Sequence, residues 1–526
     1  MCLGATPMTD YDVLLVGGGH NGLVCASYLA KAGRKVLLLE ANESPGGCAI
    51  TREFAPGFSV SACAQWVRQL SPQVLADLDL QKHGLQWAAR DLASVALSKD
   101  GEHLSVQGEQ AQGSGLAVKD RETYRAFHRK TQKYSRLLAS VLAARPPRLV
   151  ESSVKDRLAL LKLGLGLKML GKEDMSELMR IILINMYDLM SENFENRQLQ
   201  ALLSMDALVG TRMGPRSPNS VFSYLYQRVG DVFGYSGPAQ VKGGMGQLGS
   251  ALAASARAAG VEIRLAATVS SIDTRAGQAR GVTLASGEQF TAPLVVSGVD
   301  PVTTFERLVG FRHLETGVVR RVSQIRVQSG TAKLHLALDG PPSFTGLDAA
   351  QLGQRLVIAP DMKYIERAFN AVKYNEYSEA PALDISVASV NDDFLAPTGK
   401  HVLSAIVQYA PYQVAGGWDA HRERFTAQLL DCIAHYAPGI RDQVVASELL
   451  TPQDLEREFH MKGGGWHHAE LALDQVLMMR PFPGATQYAT PIDGLYLCSA
   501  GTHPGGGLMG LAGKNAAQEI LRGAQS

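Results

Sequence analysis

No stretch of this chain runs apolar for eighteen residues, so nothing in it reads as a membrane-spanning helix. It has no excess of one charge either. Fifty-one Lys and Arg stand against 50 Asp and Glu, for a formal net charge of +1, which argues against a nucleic-acid partner relying on a basic face. Cysteine is sparse: Cys2, Cys25, Cys48, Cys63, Cys432 and Cys498 make up all six. None of them forms a CxxC pair or a zinc-like spacing, so neither a disulfide scaffold nor a bound metal is expected. Met1–Asp10 lacks the charged and apolar regions of a signal peptide, and Met8 would serve as a start. The expectation is a reduced protein of the cytoplasm or an organelle matrix.

What is present points to a large folded core. A length of 526 residues implies two or three domains, and 46% hydrophobic with 19% charged residues describes a globular protein. The glycines gather at residues 17–22, 243–249 and 501–513. Residues 11–16 read as a short buried strand, Asn21–Lys31 as a helix closed by Gly33, and Lys35–Glu40 as a second buried strand. That is a βαβ unit. Later helices are expected near Val154–Leu170, Met175–Met190, Gly243–Ala259, Arg422–Tyr436 and Gly510–Arg522. Strands are expected near Val261–Leu265, Val269–Ile272, Gly281–Leu284, Pro293–Ser297, Ile385–Val390, Val402–Tyr409 and Gly494–Cys498. Thr331–Leu338 alternates, with Leu334, Leu336 and Leu338 on one face and Lys333 and His335 on the other, the pattern of a half-buried strand. Residues 71–144 are mixed, and no internal repeat is evident.

The strongest motif lies in the first βαβ unit. Gly17-Gly18-Gly19-His20-Asn21-Gly22 fits GxGxxG at Gly17, Gly19 and Gly22. The first glycine permits the tight turn, the second the approach of a pyrophosphate, the third close helix packing. The helix N-terminus adds free N–H groups and a positive dipole. Glu40, ending the second strand, suits a ribose diol. The hexapeptide alone is weak evidence; strand, helix and acid together make it strong. It does not separate FAD from NAD. Gly46-Gly47 just beyond favours FAD, although Cys48 occupies the place where a basic residue is usual.

Three more stretches carry a resemblance: Val241–Leu248, Val295–Pro301 and the C-terminal run Gly494–Gly510. With the N-terminal fingerprint they resemble the phytoene desaturase superfamily of flavoproteins. Within it the resemblance narrows to the pyridine nucleotide-disulfide oxidoreductase domain-containing protein 2 group, whose LDQ, RP and TP elements match Leu473–Gln475, Arg480-Pro481 and Thr490-Pro491. The resemblance spans about Tyr11 to Ala517. It implies an α/β fold: a Rossmann-like FAD-binding domain with an inserted α+β substrate domain, of amine oxidase and phytoene desaturase type. Residues 10–70, 240–310 and 480–524 would form the FAD domain, and 71–239 with 311–479 the substrate domain. Fingerprint and resemblance together give the expected FAD-binding positions as Gly17, Gly19, His20, Asn21, Gly22, Glu40, Gly46, Gly47, Val269, Gly501, Thr502, Gly507, Leu508 and Met509. Thr502-His503 follow Gly501 where many relatives have an acid, so backbone and hydroxyl contacts to the flavin are expected there.

The resemblance implies an FAD-dependent oxidoreductase acting on C–C bonds of a large apolar or lipid-like substrate, by desaturation, saturation or isomerisation. Amine oxidation and a flavin-holding binding protein with little turnover stand as alternatives. Disulfide reductase chemistry needs two cysteines a few residues apart, and Cys48 and Cys63 are too separated for that loop. Trp466-His467-His468-Ala469-Glu470 is dense in titratable groups, and His468 or Glu470 is the candidate proton-transfer residue. Arg480 reads as flavin-side or structural, with the structural reading favoured. The leucine-rich stretch Lys155–Lys172, with lysines at 155, 162, 168 and 172, suits either peripheral contact with an anionic membrane or packing on the substrate domain. Sequence says nothing of oligomeric state.

Overall fold

The computed structural model describes residues 11–148 and 152–523. Met1–Asp10, on which the reading of the chain start rests, and Cys2 with them lie outside the described residues, as do the outermost positions of the expected FAD segments, 10 and 524.

Val13–Val16 is apolar at every position and 0–4% exposed. A strand buried on both faces belongs inside a parallel sheet covered by helices. Its parallel neighbours are Val36–Leu39 and Leu294–Ser297, in register Val13 to Val36 and Val13 to Leu294. Glu262–Arg264 extends the sheet on one side and Leu495–Leu497 on the other, both parallel. One sheet of five strands is thus assembled from three distant parts of the chain.

Helices His20–Lys31, Gly246–Ala258 and Leu511–Gly523 pack together over one face of this sheet. The first and last approach closely: a Cβ on Gly513 would lie 2.1 Å from the carbonyl oxygen of Asn21. The other face carries a three-stranded antiparallel sheet, Val269–Arg275, Gln278–Leu284 and Gln289–Thr291, with Phe305 and Leu308 beside it.

The second large sheet has eight strands, in the order Val444–Leu450, Thr331–Leu338, His401–Gln408, Ala382–Ser386, Arg355–Ile358, Ser94–Ala96, Leu104–Gln107, Gln110–Gly113. It is antiparallel except between Arg355–Ile358 and Ser94–Ala96. Arg422–Ala434 packs one face through Phe425, Leu429 and Ile433. Register sets Lys333 opposite Ile406, and Ile406 opposite Asp384, in one row across the other face.

That row corrects the half-buried reading of Thr331–Leu338, because all eight of its residues are buried. The polar side is covered by the segment after the second glycine pair. His335 bonds the Ala62 carbonyl at 3.2 Å and Ser404 Oγ at 2.8 Å, and Lys333 Nζ donates to Gln65 Oε1 at 2.6 Å. The polar alternation faces a buried network instead of water.

Two helical assignments also change. The mixed stretch 71–144 holds a long helix, Val118–Leu142. The helix expected over Met175–Met190 is two, Lys172–Ile181 and Met186–Asn193. The second begins where the Asn185 side chain accepts the Asp188 N–H at 2.9 Å, an N-cap that starts a helix anew.

Candidate functional site

The glycine turn is shaped by contacts that leave no room for side chains. Gly17 has φ +95°, and a Cβ on Gly22 would lie 2.2 Å from the Gly17 oxygen. Gly19 is different, since among the described residues no atom beyond its chain neighbours comes within 4 Å of a Cβ placed there. The space beside it is cavity. Gly46 N donates to the Gly18 oxygen at 2.9 Å, so the second glycine pair closes over the first. Glu40, 5% exposed, accepts from Gly18 N at 2.6 Å and from Asn42 N at 2.9 Å.

These elements open on a cavity of about 350 Å³ between the two large sheets. It gathers Gly17, Gly19, His20, Asn21, Gly22, Glu40, Gly47, Val269, Gly507, Leu508 and His468 on its wall. The other sequence-derived positions stand back from it. Gly46 lies in the turn behind, where a Cβ would meet the Ala49 oxygen at 2.4 Å. A Cβ on Gly501 would meet the Pro301 ring at 2.2 Å. Thr502 donates its hydroxyl to the Ser499 carbonyl at 2.8 Å. Met509 packs in an apolar cluster with Tyr226 and Leu511. Glu470 pairs with Arg326 at 3.1 Å, away from the cavity.

Cys48 and Cys63, distant in sequence, reach the same wall. The thiol of Cys48 donates to Met461 Sδ at 3.0 Å. Its contact with Cys63, together with burial, pushes it above the ordinary thiol range.

Four histidines line the cavity, His20, His460, His467 and His468, and the pKa of three of them is shifted. Burial pushes His20 and His468 down to about 4 and His467 to about 3; the Arg480 cation lowers His467 and His468 further. All three are neutral at pH 7. His20 Nε2, His467 Nδ1 and His468 Nδ1 are buried without a partner among the described residues, as are Gln69 Oε1 and Trp466 Nε1 on neighbouring lining residues. Such groups are costly to leave unpaired. Their concentration around one cavity, beside a glycine at which a Cβ would meet open space, fits a large polar cofactor.

Arg480 holds this loop in place. It is fully buried and donates to the carbonyls of Ala500 (2.8 Å), Gln475 (2.9 Å) and Glu470 (3.1 Å), and to those of His467 and Ala469. Among the described residues it makes no ion pair, so its role is to tie the histidine loop to the C-terminal glycine run.

The wall across from the glycine turn contains residues that no motif singled out: Trp66, Arg68, Asp206, Asp384, Ile406 and Trp466. Arg355, behind them, donates to Asp384 Oδ2 at 2.8 Å and to Asp206 Oδ1 at 2.6 Å. These side chains come from five separated stretches, and only the sheet register and the packing of the helix Arg197–Leu208 unite them.

Comparison with known proteins agrees with this geometry. The flavin containing amine oxidoreductase family matches residues 22–521. The chain is 34% identical to the Rattus norvegicus pyridine nucleotide-disulfide oxidoreductase domain-containing protein 2, over 98% of this chain and 94% of that one. It is 25% identical to a lycopene-forming phytoene desaturase of Paracoccus, over 97% of each. A putrescine oxidase structure bound to putrescine superposes with a TM-score of 0.63 at 16% identity, covering 98% of this chain and 99% of that one, which shows a shared fold. FAD is the cofactor that this family and this cavity have in common. The chain belongs to the flavin-containing amine oxidoreductase family.

Proposed function

We propose that this FAD-dependent oxidoreductase acts on a carbon–carbon bond of a large apolar substrate, in the manner of a desaturase. The observation that carries the reading is the wall facing the glycine turn, where Trp66, Val209, Ile406, Phe459 and Trp466 share one cavity with the cofactor positions. FAD, when bound, supplies hydride or electron acceptance. Gly17, Gly19 and Gly22 with the helix N-terminus would hold its pyrophosphate, and Glu40 its ribose. The aromatic and aliphatic wall orients the carbon skeleton and excludes water. Of the two proton-transfer candidates, His468 alone lines the cavity, in the neutral form that can accept a proton.

The buried charges weigh against an amine substrate. Asp206 and Asp384 are both held by Arg355, with Arg68 and Lys333 close by. An ammonium group at that wall would meet the repulsion of Arg68 and Lys333, and both carboxylates there are already paired. Anaerobic mixing of the holoprotein with polyenes and with primary amines tests this. Bleaching of the flavin by polyenes alone supports the reading. Bleaching by amines alone overturns it.

We also propose that the substrate is reached from an anionic lipid surface through the helix Val154–Met169. Val154, Leu158, Leu161, Leu165 and Met169 are 71, 59, 69, 55 and 77% exposed. Their spacing places them on one helical face. Lys155 and Lys162 flank that face on one side, Arg157 and Lys168 on the other. The helix's one acid, Asp156, is buried and paired with Arg145 at 3.1 Å.

A further inference from the structure

We propose that the apolar substrate ends in a carboxylate, and that Arg68 receives it. The inference rests on the reading of the cavity as the site of an apolar substrate and adds a polar end to that substrate.

Five ionisable side chains meet at the wall facing the glycine turn: Arg68, Asp206, Lys333, Arg355 and Asp384. Arg355 is fully buried and dominates both carboxylates, with Nε 2.8 Å from Asp384 Oδ2 and Nη1 2.6 Å from Asp206 Oδ1. Trp66 Nε1 also donates to Asp384 Oδ1, at 2.9 Å. Little is left for Arg68. Among the described residues its guanidinium donates one hydrogen bond, to Asp206 Oδ1 at 3.1 Å, and stands 3.8 Å from Asp384 Oδ2, beyond hydrogen-bond range. Lys333 is fully buried and, among the described residues, its ammonium bonds only the neutral Gln65.

Three cations therefore face two anions. Arg228 does not change that balance, because Asp231 pairs with it. Of the three, Arg68 alone lines the cavity, with 22% of its side chain exposed. Burial, then repulsion from Arg355, pushes its pKa below the ordinary value, as expected of an under-compensated cation.

A guanidinium with most of its donors free is matched in shape and charge by a carboxylate, which takes two parallel hydrogen bonds from it. In a cavity walled by Trp66, Val209 and Ile406, that carboxylate must be the end of an apolar body. The ligand class is a long-chain organic acid. A neutral alcohol of the same chain length would fill the apolar wall and leave the charge unmatched.

Oleate and oleyl alcohol, titrated into the FAD-loaded protein and followed by the perturbed flavin spectrum, serve as probes. Oleate is expected to bind at least about tenfold more tightly, the usual scale for a charge-assisted contact over a neutral one. Arg68→Gln should bring oleate down to the affinity of the alcohol, and Arg68→Lys should recover part of the difference. Equal affinity of the unaltered protein for both probes, or binding of neither, overturns the proposal without recourse to any variant. A preference for oleate that survives Arg68→Gln also overturns it. Protein that takes up no FAD would instead remove the reading of the cavity on which the proposal rests.

Discussion

Glu40 accepts a hydrogen bond from the backbone N–H of Gly18 across 2.6 Å, so the acid that ends the second strand is tied to the glycine turn that follows the first. Its other oxygen takes the N–H of Asn42 at 2.9 Å. The carboxylate positions the turn, and its remaining lone pairs are the ones a ribose would use under the proposed function. Glu40→Ala should weaken FAD binding by roughly 10- to 100-fold, the loss of one or two hydrogen bonds to a charged acceptor. Titration of apoprotein with FAD measures it. An unchanged affinity would show that the acid serves the turn alone.

Gly22 poses a steric question. With a Cβ 2.2 Å from the Gly17 oxygen and 3.0 Å from Leu15, Gly22→Ala must push the helix off the sheet. The expected cost is about 1–3 kcal/mol, as for overpacked cores, together with loss of bound flavin. Among the described residues, Gly19→Ala meets no atom beyond its chain neighbours within 4 Å. It should leave the thermal midpoint of the apoprotein unchanged and impair FAD uptake. If both variants lower apoprotein stability equally, the space beside Gly19 is not the cofactor's.

Arg480 and Arg326 both bond the segment 467–475, yet they should differ sharply in worth. Arg326 is 46% exposed, and its partners Asp474 and Glu470 are 63% and 21% exposed, so its ion pairs should contribute no more than about 1 kcal/mol. Arg480→Met leaves several buried carbonyls without donors and should cost about 3 kcal/mol or more. Urea midpoints of the two variants decide the matter, and equal losses would contradict it.

The buried histidines give the protein a defined acid limit. Burial holds His20, His468 and His503 at about 4 and His467 at about 3. An unfolded histidine titrates near 6.5. Above that pH both states are neutral, and these groups leave stability unchanged. Below it the unfolded chain takes up protons that the folded chain refuses, so stability is lost as pH falls from about 6.5 towards 4. Groups of this kind together give a slope of up to roughly 5 kcal/mol per pH unit. Urea midpoints should be flat from pH 8 to 7 and fall steeply below 6. A midpoint constant down to pH 5 would mean that these rings are hydrated in solution.

The glycine turn was legible because its geometry is local. Gly17, Gly19, Gly22 and Glu40 lie within one βαβ unit, and their glycine requirements follow from backbone geometry that a short window of sequence expresses. The C-terminal run was legible as a run, but not residue by residue. Gly507 and Leu508 reach the cavity, while Gly501 and Thr502 serve contacts with Pro301 and Ser499. The wall across from the glycine turn left no comparable trace. Arg68, Asp206 and Asp384 are brought together by strand register and helix packing across long stretches of chain, and no periodicity records that. Lys333 and His335 misled for a related reason. Alternation marks two faces of a strand, but a polar face can meet a buried network as readily as water.

The helix Val154–Met169 separates the membrane reading from the packing reading. Its inner face rests on the helix Val118–Leu142, where Gly166 allows close approach; a Cβ there would lie 2.8 Å from Leu137 Cδ1. That glycine therefore seats the helix. The outward face keeps its five exposed apolar residues between basic flanks, an arrangement that inserts side chains into a lipid interface while lysines reach the headgroups. In flotation experiments the protein should rise with phosphatidylglycerol vesicles and stay behind with phosphatidylcholine. Raised salt should weaken the association, because screening acts on the lysines. Leu161→Glu with Leu165→Glu, both on the exposed face, should abolish flotation and leave the thermal midpoint within about 1 kcal/mol of the parent, as surface changes do. Loss of stability in that double variant, with no flotation of the parent chain, would assign the stripe to a protein contact instead of a membrane.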